Sequence, residues 1–360
     1  MKKHAIIPIF IPHKGCPHAC VFCNQNAITA RTADVTPDDV RRIADKWLST
    51  LTGRGLEEIE LSFFGGSFTG IPIEDQTAFL KIAKEYKDTG KIDRIHLSTR
   101  PDYINKEILD NLKEYGADVI ELGVQSFDDK VLQLSERGHS AEDVFKACKL
   151  IESYGCFTLG IQLMIGLPGD SYESCMESVR KTIEIGPEIA RLYPTVIITQ
   201  TKLCEMYRKG EYVPFSHEEM LHTVTDMYRC LTEAGVNVIR VGLKASALIN
   251  DSDDSRVVGD SYHPAFRQLV EGRIAREETE KIIENALGAN DIAGACASDK
   301  KRSIIIKAGP SKFSAIIGHK AENKLYFSDK YPGLKISYIE DASIDDGRIE
   351  IISDPSGNHN

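Results

Sequence analysis

Cys16, Cys20 and Cys23 fall within eight residues, in the run Gly15-Cys-Pro-His-Ala-Cys-Val-Phe-Cys-Asn24. Their C-x-x-x-C-x-x-C spacing follows a short apolar stretch, Ala5-Ile-Ile-Pro-Ile-Phe-Ile11. Three thiolates this close can hold an iron–sulfur cube by three corners and leave its fourth iron open. An open iron suits chemistry on a bound molecule rather than electron storage. Zinc is the competing reading. A structural zinc site wants four protein ligands. No second C-x-x-C occurs later in the chain, and His13 and His18 are the residues at hand to complete the set.

Further runs with chemical character follow in order. Leu61-Ser-Phe-Phe-Gly-Gly-Ser-Phe-Thr69 reads as a strand entering a turn in which Gly65 and Gly66, lacking a Cβ, let backbone approach a ligand closely. Then come Leu97-Ser-Thr-Arg-Pro-Asp-Tyr103, Val119-Ile-Glu-Leu-Gly-Val-Gln-Ser-Phe127 with Arg137-Gly-His139, and Gly160-Ile-Gln-Leu-Met-Ile-Gly-Leu-Pro-Gly169. With aromatic Phe22 before the last cysteine, this ordered set resembles the radical S-adenosylmethionine (SAM) superfamily. Its wording is closest to the radical domain of the Elongator catalytic subunit and its bacterial relatives. A looser likeness is to oxygen-independent coproporphyrinogen oxidase. The resemblance spans about residues 5–245.

That resemblance implies a 4Fe-4S cluster on Cys16, Cys20 and Cys23, with S-adenosylmethionine chelated at the open iron. It implies reductive cleavage of that cofactor to a 5′-deoxyadenosyl radical, which abstracts hydrogen from a substrate in the barrel, with a flavodoxin or ferredoxin as electron donor. Carried over residue by residue, it assigns cofactor contacts to Phe22, Gly65, Gly66 and Ser67, the Gly-Gly turn receiving the amino group of the methionine half. Gln125 and Arg137 are to approach the adenosine and the carboxylate, with Gln162 beside them on the next strand. Polar packing inside the barrel is the alternative for these three. Ser98 departs from the pattern: the relatives carry Glu before the Thr-Arg-Pro or Asn-Pro step, so ribose contact at Ser98 is weaker or passes to another residue.

The elements that must position these residues alternate. Strand-like segments at 5–11, 57–64, 92–98, 118–124, 158–165, 192–199 and 236–242 are separated by amphipathic runs such as 37–47 and 76–86. Thr36 and Ser140, each followed by early acids, read as helix N-caps. Such repetition predicts an α/β fold with a parallel sheet, a partial or full β/α barrel, over residues 1–245. Active sites of barrels lie on the loops after the strands, where the cysteines and the Gly65-Gly66 turn both fall. A polar break at Asn250-Asp-Ser-Asp-Asp-Ser255 opens a segment, 246–299, expected to connect and to cover the barrel mouth. In it Tyr262 and His263 are candidate substrate-side donors or acid–base groups, or else a helix entry satisfying local backbone. Cys204 is a candidate hydrogen donor, with a buried thiol as the alternative. Cys148, Cys156, Cys175, Cys230 and Cys296 show no pairing pattern and read as reduced thiols.

Residues 300–353 read β-α-loop-α-β-β, with Ile-Ile-Gly-x-x-x-x-Asn at the centre, and resemble a KH domain, leaving a tail at 354–360. A KH G-x-x-G loop clamps nucleic-acid backbone between two helices. Gly318, His319, Lys320 and Lys312 are the candidate contacts, but Ala321 replaces the second glycine and crowds the loop. The chain carries −10 overall, whereas residues 300–335 hold nine basic against two acidic side chains. A local basic patch on an acidic protein suits docking of a polyanion; a solvated lysine face is the alternative. No stretch is apolar enough to span a membrane and no export signal is evident, so a cytoplasmic protein is expected. The leading expectation is an RNA-modifying radical enzyme, with tRNA as substrate and no acetyltransferase domain. The alternatives are a radical enzyme on a small molecule or protein whose C-terminal module is structural only, and a non-catalytic iron–sulfur or RNA-binding protein.

Overall fold

A computed structural model describes residues 4–11, 20–23, 35–243, 249, 256–260, 262–287, 302–345 and 347–353. His13, Cys16, His18, Cys296, the 250–255 break and the 354–360 tail lie outside the described residues. The chain falls into two compact units, Met1–Pro264 and Ala265–Asn360.

The first unit is one parallel sheet of seven strands in chain order: β1 (His4–Ile11), β2 (Glu58–Gly65), β3 (Arg94–Thr99), β4 (Val119–Gln125), β5 (Thr158–Ile165), β6 (Ile189–Pro194) and β7 (Asn237–Val241). Helices α1 (Pro37–Leu51), α2 (Ile73–Asp88), α3 (Lys106–Glu114), α4 (Asp129–Leu134), α5 (Ala141–Glu152), α6 (Tyr172–Ile185), α7 (Lys202–Arg208) and α8 (His217–Glu233) supply the crossovers. Among the described residues β1 and β7 remain as edges, so the barrel is partial rather than full. Thr36 and Ser140 do cap α1 and α5, in capping boxes closed by Asp39 and Asp143.

Side chains alternate between the faces of a strand, and here the two sets differ in chemistry. Leu61, Phe63, Ile95, Leu97, Ile120, Leu122, Ile161, Leu163 and Leu192 are buried apolar positions that suit packing beneath helices. The positions between them carry Glu60, Ser62, His96, Ser98, Glu121, Gln162, Arg191 and Tyr193. Barrel interiors are commonly plugged by branched apolar side chains; this one is polar.

β6 starts and ends earlier than the expected 192–199. The β-branched run Thr195-Val-Ile-Ile-Thr199 misleads because its first four residues are buried without extending β6. Ile198 bridges Val257 in antiparallel sense, and Thr199 N donates to Arg256 O at 2.8 Å.

In the second unit β8 (Arg302–Ala308) lies between β9 (Leu334–Glu340), to which it is parallel, and antiparallel β10 (Ile349–Ser353). The long α9 (Phe266–Leu287) precedes β8, and two helices, α10 (Pro310–Ile317) and α11 (Glu322–Lys330), separate β8 from β9. α9 buries Ala275 and Ile283 in one core with Ile304, Ile306, Ile316 and Phe327. Those contacts move the boundary expected at 300 back to 265, so residues 265–287 belong with the C-terminal unit rather than to a connecting segment.

Candidate active site

The turn at residues 20–23 is pinned from both sides. Cys23 N donates to Cys20 O at 2.9 Å, closing a tight turn, while Val21 N donates to Ser135 O at 3.2 Å and Val21 O accepts from Leu203 N at 2.7 Å. Val21 sits in an apolar cluster with Ile197, Leu203, Cys204 and Tyr212, and Phe22 packs against it. Cys204 is therefore a packing residue beneath the loop, 1% exposed, with its backbone N–H taken by Thr201 Oγ1 at 3.1 Å.

The Gly65-Gly66 turn clasps the end of β1. Gly66 N donates to Ile11 O at 2.9 Å. Gly65 has φ +115°, and a Cβ there would stand 2.5 Å from Ile11 O. Only glycine fits so close an approach at that φ. Ser67 fastens two loops. Its buried hydroxyl bonds Thr99 Oγ1 at 2.7 Å and accepts Arg100 N at 3.2 Å, fastening the loop after β2 to the loop after β3.

β4 ends in a register shift between Gly123 and Gln125, and Gln125 takes φ +71°. A left-handed conformation in a non-glycine residue costs energy and gathers at functional sites. Gln125 Oε1 is buried without a hydrogen-bond partner. Arg137, 6% exposed, donates through Nη1 to Cys20 Sγ at 3.2 Å and through Nη2 to Gly123 O at 2.5 Å, while its Nε has no partner. Arg100 grips Asp102 through Nε and Nη2, both at 2.9 Å, and also donates to Arg137 O. His139 Nε2 lies 3.2 Å from Val124 O. Burial, then the Arg137 and Arg100 cations, push its imidazole down to about 4, so it is neutral and donates to that carbonyl. Loops after β1, β3 and β4 thus bring Cys20, Arg100, Gln125, Arg137 and His139 together.

A second constellation, absent from the sequence expectations apart from Gln162 and Ser98, crosses the polar face. His96 Nδ1 meets Glu60 Oε1 at 2.8 Å and its Nε2 lies 3.2 Å from Glu121 Oε2. Glu121, fully buried, also accepts from Arg191 Nε at 2.8 Å and from the Gln162 amide. Burial pushes the Glu121 carboxyl up, but His96 and Arg191 outweigh it and hold it below its ordinary value. Burial pulls His96 down, yet Glu121 and Glu60 outweigh it and raise it above its ordinary value, favouring the charged form. The signal available in the sequence is the period of two within the quoted runs, which sets Glu121 and Gln162 on the face opposite Leu122 and Ile161. The Gln162 amide, at 3.4 Å from Ser98 Oγ as well, is engaged in this packing. Tyr262 packs against Val196, Ile198 and Ile249, and the His263 ring stands 6.2 Å from that of His217.

In the C-terminal unit Gly318 (φ +79°) and Ala321 (φ +63°) bracket His319 and Lys320 between α10 and α11. Lys320 is exposed and also left-handed, φ +51°. Asn323, buried, donates to Gly272 O at 2.8 Å and Ala315 O at 3.0 Å, tying the loop to α9. Lys312 is committed to an ion pair with Glu278 of α9, and Lys330 to Glu280 and Glu284. The basic patch is therefore partly neutralised by a helix outside the counted window: residues 265–360 hold fourteen basic against fifteen acidic side chains.

Residues 10–182 match the family model of the radical SAM superfamily, and residues 187–276 that of the radical SAM C-terminal domain. A tRNA uridine(34) acetyltransferase of Methanocaldococcus infernus is 28% identical over 260 residues, 61% of this chain and 48% of its own length. An uncharacterized protein of Methanocaldococcus jannaschii is 32% identical over 228 residues, 61% of this chain and 69% of its own. The heme chaperone HemW of Bacillus subtilis is 24% identical over 207 residues, 57% of this chain and 54% of its own. The solved Methanocaldococcus infernus Elp3 with an N-terminal deletion shares the fold, with TM-score 0.61 and 22% identity over 77% of this chain and 64% of that one. The chain spans about half the length of the acetyltransferases of the two Methanocaldococcus species that it matches.

Proposed function

The chain belongs to the radical SAM superfamily, whose enzymes work with a 4Fe-4S cluster and S-adenosylmethionine, and we propose that this enzyme abstracts hydrogen from RNA of the tRNA class. When bound, the two cofactors supply a carbon radical. The described residues suit them. Cys20 and Cys23 stand on a pinned turn without a disulfide, and Cys16 would complete the ligand set. Gln125 Oε1 and Arg137 Nε are buried polar atoms awaiting partners, as an adenosine edge and a carboxylate would provide. Arg137, Gln125 and the Gly65-Gly66 turn orient the ligand; the polar sheet face receives substrate and the buried ladder holds its charges fixed.

The observation that carries the RNA reading is the joining of two things in one chain. A radical domain similar to tRNA-named enzymes is followed by a unit that sets exposed Lys320 on a tight interhelical loop. We read that unit as KH-like, with Gly318, His319 and Lys320 facing phosphates and Lys312 contributing less because Glu278 holds it. No helix among the described residues is long and apolar enough to cross a membrane. The proposal places the enzyme in the cytoplasm, with a flavodoxin or ferredoxin as electron source.

Anaerobically reconstituted protein with S-adenosylmethionine and dithionite should release 5′-deoxyadenosine slowly alone and faster with unmodified tRNA. RNA affinity should fall steeply with salt. The likeness to HemW favours a second reading, a small-molecule ligand. RNA that neither binds nor stimulates, while a porphyrin does, would establish it.

A further inference from the structure

We infer that Arg137 couples the redox poise of the cluster to occupancy of the cofactor's carboxylate site. The guanidinium is buried, and among the described residues it pairs with no carboxylate: adjacent Glu136 pairs with Lys202, and Asp102 is gripped by Arg100. A buried cation without a counter-charge is strongly unfavourable. Its contacts are a cysteine sulfur at 3.2 Å, a backbone carbonyl and an open Nε. Sulfur that ligates a cluster is anionic, and hydrogen bonds to cluster sulfurs raise the reduction potential. One rigid fork thus faces the thiolate of Cys20 on one side and, through Nε, a second anion on the other.

The backbone that carries the fork is tied to the cysteine turn. Arg137 N donates to Leu132 O at 3.0 Å, Arg137 O accepts from Arg100, and Ser135 O, two residues away, holds Val21. Binding a carboxylate at Nε draws the guanidinium charge toward it and weakens the N–H···S bond, so the potential falls when the site fills. This inference concerns the cofactor end alone and stands whatever the substrate is.

The test is an EPR-monitored redox titration of the anaerobically reconstituted full chain. It is run with no ligand, with S-adenosylhomocysteine, and with 5′-methylthioadenosine, which keeps nucleoside and sulfur but lacks the amino-carboxylate. In the native chain S-adenosylhomocysteine should lower the midpoint and 5′-methylthioadenosine should not. Arg137→Gln should rest at a more negative midpoint and lose the ligand-dependent shift, with iron content read in parallel. Should that variant fail to hold iron, Arg137→Lys decides: it keeps the charge but not the fork, so an intermediate midpoint and a reduced shift are expected. A native midpoint and full shift in whichever variant is loaded, or equal shifts from both ligands in the native chain, would overturn the coupling.

Discussion

Cations in the two units meet opposite treatment at Arg137 and at the paired lysines. In the barrel unit Arg137 is buried against Cys20 with no carboxylate partner among the described residues, whereas the C-terminal unit holds Lys312 and Lys330 near the surface against Glu278, Glu280 and Glu284. A surface pair is worth little and is readily exchanged with solvent. A buried, unpaired cation is costly and persists where a ligand supplies the missing charge. The contrast supports the proposed binding role of the barrel cation over one for the paired lysines, and among the described residues exposed Lys320, on its tight interhelical loop, is the C-terminal cation on which the polyanion proposal rests. Arg191 sharpens the point within the barrel, since its Nε is matched by Glu121.

The contrast breaks most completely at the cysteines. Replacing Cys16, Cys20 or Cys23 singly by Ala should abolish cluster assembly, read as iron content and visible absorbance after anaerobic reconstitution. The exposed Cys156 and the half-buried Cys230 should be replaceable without effect. Full activity with zinc in place of iron would overturn the cluster assignment.

Much of the molecule is legible in its sequence, and the failures have physical causes. The cysteine spacing, the Gly65-Gly66 turn and the caps at Thr36 and Ser140 are local features that a few neighbouring residues determine. β6 is misplaced by pattern because buried Val196, Ile197 and Ile198 imitate a strand of the sheet, whereas Ile198 pairs with Val257 outside it. The bond from the Ser67 hydroxyl to Thr99 is likewise invisible in the sequence, because folding brings the two loops together. The ladder Glu60–His96–Glu121–Arg191 draws one residue from each of four strands, and α9 neutralises lysines more than thirty residues away. Charge counted along a window misses partners that folding brings from outside it.

The buried pair in the barrel should be costly to break. Glu121→Ala leaves His96 and Arg191 without their shared anion, and destabilisation of about 3–5 kcal/mol is expected, measured by urea unfolding of the barrel unit. Lys312→Ala, breaking a surface pair, should cost less than about 1 kcal/mol. Equal losses would erase the distinction between the units.

A pH series tests the same environment. His139 is held neutral with its pKa lowered from about 6.5 to about 4, so folding excludes a proton that the unfolded chain binds. Stability from this group is complete above about 6.5 and is lost as pH falls toward 4, by at most about 3 kcal/mol. His139→Gln should flatten that part of the curve. Any loss tied to Glu121 and Glu60, whose values are lowered, should appear further into acid, because carboxylates release their contribution below their ordinary range. A His139→Gln curve that still falls as steeply between pH 6.5 and 4 would show that the imidazole is not held neutral.

The smallest expected effect lies in the interhelical loop, where two similar positions should respond unequally. Gly318 has φ +79°, and a Cβ there would stand 2.8 Å from Glu322 Cγ and 2.9 Å from Asn323 N. Gly318→Ala therefore combines strain with a clash against backbone, and should destabilise the C-terminal unit by about 2 kcal/mol or more. Ala321 already bears the cost of a left-handed conformation at φ +63°. Ala321→Gly relieves roughly 1 kcal/mol of that strain but restores freedom to the unfolded chain, which offsets about 0.5–1 kcal/mol. Stability should therefore change by no more than about 0.5 kcal/mol. Removing the methyl also opens the loop to a phosphate, so the variant should bind tRNA-sized RNA more tightly than the native chain at equal salt. Lys320→Glu should reverse that gain and lower the slope of log affinity against log salt by about 1, as expected when the protein neutralises one phosphate fewer. Unchanged RNA affinity in both variants would remove this loop from the interface and leave the unit as scaffold.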